Sequence, residues 1–185
     1  MQFIQIRKAL LVTALLGGTT FLLLLTAVRA DAQDGPPVPA LPAVCGNIRV
    51  EEGNQVAFQA YAIGVQIWRW TGSAWAFVAP EANLYANAGY RGQTATHYAG
   101  PTWESISGSK VIAARVDGCT PDADSIPWLI LRKVSTEGSG QFADITFIQR
   151  VNTNGGNAPS AAGSYPGEER RVPYTAEYYF YRASN

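Results

Sequence analysis

The sequence is poor in the residues from which most catalytic centres are built. In 185 residues there is one histidine, His97, two cysteines and one methionine. A structural zinc site takes four nitrogen or sulfur ligands, and one histidine with two distant cysteines does not supply them. Asp117, Asp122 and Asp124 cluster around Cys119 and offer oxygen ligands for calcium. They lack the D-x-D-x-D-G spacing with a later glutamate, so they read as solvated turn aspartates. No metal and no cofactor is expected. A nucleophile elbow is missing too, because Gly163-Ser164-Tyr165-Pro166-Gly167 has the wrong spacing for G-x-S-x-G.

Charge of one sign is also scarce. Lys plus Arg and Asp plus Glu number 14 each, and no basic run occurs. Counted from Gln33, 11 basic residues face 13 acidic ones, a net charge of −2. Such a chain lacks the electrostatic footprint of a nucleic-acid binder, so DNA and RNA are set aside as partners. After residue 45 no window of eleven residues holds a helical 3.6 period, which excludes a helical domain.

What is present begins with a positive n-region carrying Arg7 and Lys8, followed by an uncharged apolar run over residues 9–28. Ala30 and Ala32 then supply the small-x-small pattern of a signal peptidase site, so residues 1–32 read as a signal peptide cleaved before Gln33. The competing reading is an uncleaved N-terminal membrane anchor, since the apolar run is long enough to span. Nothing after it is, so no further span follows cleavage. Both readings put the rest of the chain outside the cytoplasm, either secreted or periplasmic.

Residues 33–44 hold four prolines and read as an extended linker, with one domain over residues 45–185. In an oxidising compartment Cys45 and Cys119 are expected to pair, closing a loop of about 75 residues; the alternative is two separate buried thiols.

Within the domain, short aromatic and β-branched runs are broken by glycine. Residues 55–61 and 65–70, then 74–79, 83–87 and 93–98, then 103–106, 110–117, 128–135, 144–151 and 175–182 each read as strands. The pattern predicts an all-β fold, an antiparallel β-sandwich or barrel of about nine or ten short strands with little helix. Residues 152–173 form the one long interval without a strand signal, a candidate rim or lid.

Five motifs then carry a family likeness: Trp75-x-Phe77-x-x-Pro80-Glu81-Ala82-x-Leu84-Tyr85, His97-Tyr98-Ala99-Gly100-Pro101-Thr102-Trp103-Glu104, Ile126-Pro127-Trp128-Leu129, Gln149-Arg150-Val151-Asn152-Thr153 with the following Gly155-Gly156-x-Ala158-Pro159, and Pro173-Tyr174-Thr175-Ala176-Glu177-Tyr178-x-Phe180-Tyr181. In this order they resemble the domain of unknown function 3455 family over residues 44–182. The resemblance implies a secreted single-domain protein without an established activity. Some relatives bear names that suggest a dehydrogenase, which this chain does not support: it has no G-x-G-x-x-G after a strand and no alternating strand and helix plan. Some carry a cysteine after the Ala-Pro of the fourth motif, where this chain reads Ser160-Ala161-Ala162-Gly163, so that crosslink does not carry over.

His97 to Glu104 is the densest chemistry. His97 is a candidate general base, with Glu104 to orient it if a hairpin pivoting at Gly100-Pro101 sets the two opposite each other. The alternative is a histidine held by hydrogen bonds at a tight turn. Glu81, Glu104 and Glu177 leave a carboxylate pair for sugar cleavage open. Arg150 and Asn152 share one strand face by parity and are candidates for a polar pocket beneath the long loop. Trp68 with Trp70, and Tyr179 with Tyr181, share faces that read as sheet core or as stacking platforms for flat ligands.

The first functional reading is therefore a ligand-binding or surface-associated domain with His97, Tyr98, Trp103, Glu104, Arg150 and Asn152 as candidate binding residues, taking a small molecule or carbohydrate. The second is an extracellular hydrolase using His97 with a carboxylate such as Glu104. The third is a structural extracellular protein without a small-molecule site. Burial of His97 with bonding to backbone alone removes the ground for the second.

Overall fold

The computed structural model describes residues 36–184. The signal segment over residues 1–32 and the first linker residues lie outside the described residues. A 3-10 turn, η1 (Ala43–Ile48), precedes eight strands: β1 (Asn54–Trp70), β2 (Trp75–Tyr85), β3 (Gln93–Tyr98), β4 (Thr102–Ser105), β5 (Lys110–Cys119), β6 (Trp128–Glu137), β7 (Ile145–Gly155) and β8 (Glu169–Ala183). Each strand pairs antiparallel with the next, and β1 also pairs with β8, so the sheet closes into a barrel. Among the described residues no helix is long and apolar enough to cross a membrane.

Eight strands replace the nine or ten expected, for a local reason. The runs at 55–61 and 65–70 are one strand, and so are those at 74–79 and 83–87. Gly64, read as a break, lies inside β1 opposite Ala82 of β2, where an added Cβ would come within 2.1 Å of the Glu81 carbonyl oxygen. It is a point of close backbone approach within a continuous ladder. At the other end, β8 begins at Glu169, because the charged and proline-containing run Glu169–Pro173 pairs with Val65–Arg69 despite its weak strand composition. The interval read as a 22-residue loop shrinks to residues 156–168.

Period-2 alternation divides the aromatics between two cores. Tyr174, Tyr178 and Phe180 of β8 belong to a cluster with Trp103, Ile148, Leu131 and Phe142 that fills the barrel. β1 meets them in register with Gly64, Ala60 and Phe58. Gly64 and Ala60 thus make room for Tyr174 and Tyr178, while Phe58 stacks on Phe180 with ring centroids 4.6 Å apart.

The intervening residues Tyr179 and Tyr181 point outwards and pack with Ile130, Phe147 and Val151 beneath η1. Cys45 and Cys119 are bonded, which fastens η1 to the end of β5. Gln149 closes this layer, its Nε2 donating to the Ile48 carbonyl at 2.7 Å and its Oε1 accepting from the Tyr181 hydroxyl at 2.7 Å. The linker is not free of the domain: Leu41 packs on this outer core, so tertiary contact begins before Cys45.

Candidate functional site

β3 and β4 meet at the Ala99-Gly100-Pro101 turn, where Gly100 takes φ +90° and the Thr102 hydroxyl donates to the Ala99 carbonyl at 3.1 Å. A positive φ of this kind favours glycine. The turn sets the register, and the register sets which side chains meet. His97 pairs with Trp103, and Thr96 pairs with Glu104. Directly opposed residues share a face, so His97 and Trp103 point into the barrel while Glu104 points out.

His97 is 4% exposed, and its ring lies on Trp103 with centroids 4.1 Å apart and planes 7° from parallel. Tyr178 meets both rings edge-on. Nδ1 is 2.9 Å from the Thr102 carbonyl oxygen. That oxygen only accepts, so the proton of the neutral ring sits on Nδ1 and Nε2 is left bare. Burial pushes the pKa of His97 down to about 3, opposed by the Thr102 bond and helped by the nearby Arg150 charge. The imidazole is therefore neutral throughout the physiological range.

Glu104 stands on the outer surface, accepting from the Tyr98 hydroxyl at 2.7 Å and 3.7 Å from the Lys110 ammonium. The pairing expected at Gly100-Pro101 is off by one residue, so His97 and Glu104 are on opposite faces of the sheet. A general base oriented by this acid is not assembled. Tyr98 shares the outer face with Glu104, and that carboxylate raises the Tyr98 pKa to about 12.

Arg150 of β7 does reach the interior. Its Nε and Nη2 donate to the Pro127 carbonyl at 3.2 and 2.8 Å, its residue exposure is 8%, and among the described residues no carboxylate pairs with it. Asn152 does not accompany it. The β7–β8 register shifts between Val151 and Asn154, and Asn152 takes φ +49° and is exposed. The bulge breaks the parity on which a shared face depended.

His97, Trp103, Arg150, Gln66 and Tyr178 line one cavity of about 90 Å³ inside the barrel. Leu129, Leu131 and Pro80 make its apolar wall, and it reaches the rim at Phe77 and Pro101, both exposed. Two buried donors of its lining residues, Gln66 Nε2 and Trp103 Nε1, make no hydrogen bond of ordinary geometry among the described residues, although the Gln66 amide is near enough to the Tyr174 hydroxyl to oppose the rise of its pKa. Gln66 was missed by sequence reasoning. It is a polar residue on the inward parity of Ala60 and Ala62, a signal lost when Gly64 is taken as a strand break.

The segment after β5 and the loop 156–168 cover this end of the barrel. Thr153 Oγ1 donates to the Ile126 carbonyl at 2.6 Å, and the Ile126 amide donates to the Gly155 carbonyl at 2.9 Å, fastening Pro127 in place for Arg150. Trp68 Nε1 donates to the Gly156 carbonyl at 3.0 Å and Trp75 Nε1 to the Ala161 carbonyl at 2.8 Å. These indoles tie the loop down. Asp122 is occupied by its own turn, accepting from the Asp124 amide and the Ser125 hydroxyl. Among the described residues no group of three His, Cys, Asp or Glu side chains is arranged to hold a metal.

The model of the family described as protein of unknown function (DUF3455) matches residues 51–182. The chain belongs to this family. The match spans β1 to β7 entirely and takes in the five motifs, which the fold now accounts for: the second is the β3–β4 hairpin, the third holds Pro127, the fourth holds Arg150 and the last lies in the aromatic strand β8. No curated protein and no solved structure matches this DUF3455 chain.

Proposed function

We propose that the DUF3455 domain is a small-molecule-binding barrel whose ligand enters the interior beside His97, Trp103 and Arg150. The observation that carries this reading is one interior cavity whose lining residues include two with unpartnered buried donors, Gln66 Nε2 and Trp103 Nε1. An unsatisfied buried polar group costs about 1–3 kcal/mol, so two in a single lining favour an occupant with acceptors. The mostly apolar wall and the few convergent polar groups are what small-ligand sites have in common. The N-terminal segment pattern and the Cys45–Cys119 bond support an exported protein working outside the cytoplasm.

A hydrolase reading finds no support around His97, whose sole hydrogen bond among the described residues goes to backbone and whose expected partner Glu104 is on the other face. A ligand screen by thermal shift on the mature domain tests the binding reading, with Leu131→Phe as a cavity-filling variant and His97→Ala as a lining variant. Ligands that stabilise the wild type and lose their effect in both variants support the interior site. Equal shifts in all three proteins move the site elsewhere.

A further inference from the structure

We infer that the group recognised in the barrel interior is an anion, specifically the carboxylate of a small organic acid, with Arg150 as its counter-ion. This rests on the interior binding site proposed above and names the ligand class it takes. Arg150 is the interior's one charged side chain among the described residues lining the cavity, and it is buried. A guanidinium cannot relieve its burial by losing a proton, as a lysine does. Removing an ion from water costs several kcal/mol unless a partner of opposite charge meets it.

Among the described residues no opposite charge meets it. His97 is neutral, the Pro127 carbonyl offers a dipole rather than a charge, and burial holds the Tyr174 phenol in its neutral form. The five ion pairs of the described residues all lie elsewhere, on Arg69, Lys110, Arg132, Arg170 and Arg171. Two of the other unmet groups of the lining have the same polarity, and the bare acceptor at His97 Nε2 is the exception. Gln66 Nε2 and Trp103 Nε1 are both donors without acceptors. A cation with two free N–H groups is a set of donors for an oxyanion, and arginine is the side chain whose planar fork matches a carboxylate.

Size and walls narrow the class. About 90 Å³ takes a carboxylate with a short carbon chain, and the wall of Leu129, Leu131, Pro80 and the Phe77 rim suits an apolar tail directed outwards. A fully hydrated polyanion such as phosphate leaves that apolar surface unused.

The experiment is isothermal titration of the mature domain with acetate, propionate and butyrate, against propionamide and 1-propanol as uncharged matches and inorganic phosphate as a second oxyanion. Expected is binding of the carboxylates at least about tenfold tighter than of the uncharged matches, the range of a charge-assisted hydrogen bond. Arg150→Gln should lose that preference and Arg150→Lys keep part of it, with near-ultraviolet circular dichroism reporting that each variant is folded. Because Arg150 also bonds Pro127, Trp103→Phe and Gln66→Leu serve as second variants, each weakening carboxylate binding while leaving the charge in place. Equal binding of propionamide and propionate, both lost in Leu131→Phe, overturns the anion while leaving an interior site. Tighter binding of phosphate than of every carboxylate overturns the carboxylate class. Binding of none of these probes, with Leu131→Phe as stable as the wild type, overturns both, since the cavity is then closed packing and Arg150 a strut for Pro127.

Discussion

His97 and Trp103 are cross-strand partners over the Gly100-Pro101 turn, and their rings stack at 4.1 Å, 7° from parallel. That contact commits the single histidine of the chain to the barrel interior. It also makes His97 a built-in sensitivity to acid.

Folding lowers the pKa of His97 from 6.5 to about 3. Above pH 6.5 the imidazole is neutral in both states and its titration leaves stability unchanged. Below that pH the unfolded chain binds a proton that the folded one refuses, so stability falls by about 1.4 kcal/mol per pH unit towards pH 3. Urea titrations at pH 7 and pH 5 should differ by about 2 kcal/mol. His97→Phe, which keeps a ring against Trp103, should remove most of that difference, and an unchanged slope in the variant would assign it to other groups.

The Cys45–Cys119 bond closes a loop with a sequence separation of 74. Loop-closure entropy gives such a crosslink roughly 4 kcal/mol. Replacing both cysteines by alanine should lower the melting temperature by about 10 °C or more, since about 2–4 °C follows each kcal/mol in a domain of this size. Calorimetry of wild type with and without reductant should reproduce the shift.

Gly64→Val should unfold or severely destabilise the barrel. Its Cβ would lie 2.1 Å from the Glu81 oxygen and 2.5 Å from the Ala82 Cα, both backbone atoms. A cost above about 3 kcal/mol is expected, because neither strand can move without breaking the β1–β2 ladder. Gly46→Val, where φ is not positive and nothing lies within 4 Å, is the control for the loss of a glycine without a clash.

Glu104→Gln should change stability by no more than about 1 kcal/mol, as expected of a partly exposed ion pair. The Tyr98 phenol should titrate lower in the variant, because the Glu104 carboxylate is the first cause of its raised pKa. Ligand binding in the interior should be unaffected. A large loss of binding would show that the outer face takes part in the site.

The candidate residues divide along the same line. His97, Trp103 and Arg150 were legible as a group only by their motifs, and the structure brings them to one cavity. Tyr98 and Glu104 share the motif of His97 yet face solvent, because one residue of register exchanges the faces of a strand. Asn152 left the group through a bulge that no parity count anticipates.

Composition and alternation determined that the chain is all-β, since β-branched and aromatic runs with period two and no helical period leave no other class. They also marked the cysteine pair, because two cysteines allow one crosslink. The tertiary structure decided the rest. Whether Gly64 breaks a strand depends on the backbone of β2 beside it, and whether β8 starts at Glu169 depends on pairing with β1. Closure of β8 on β1 is what turns Arg150, Gln66 and Trp103, far apart in the chain, into neighbours around one cavity. Such long-range contacts are set by register across the whole sheet, and a local pattern carries no record of them.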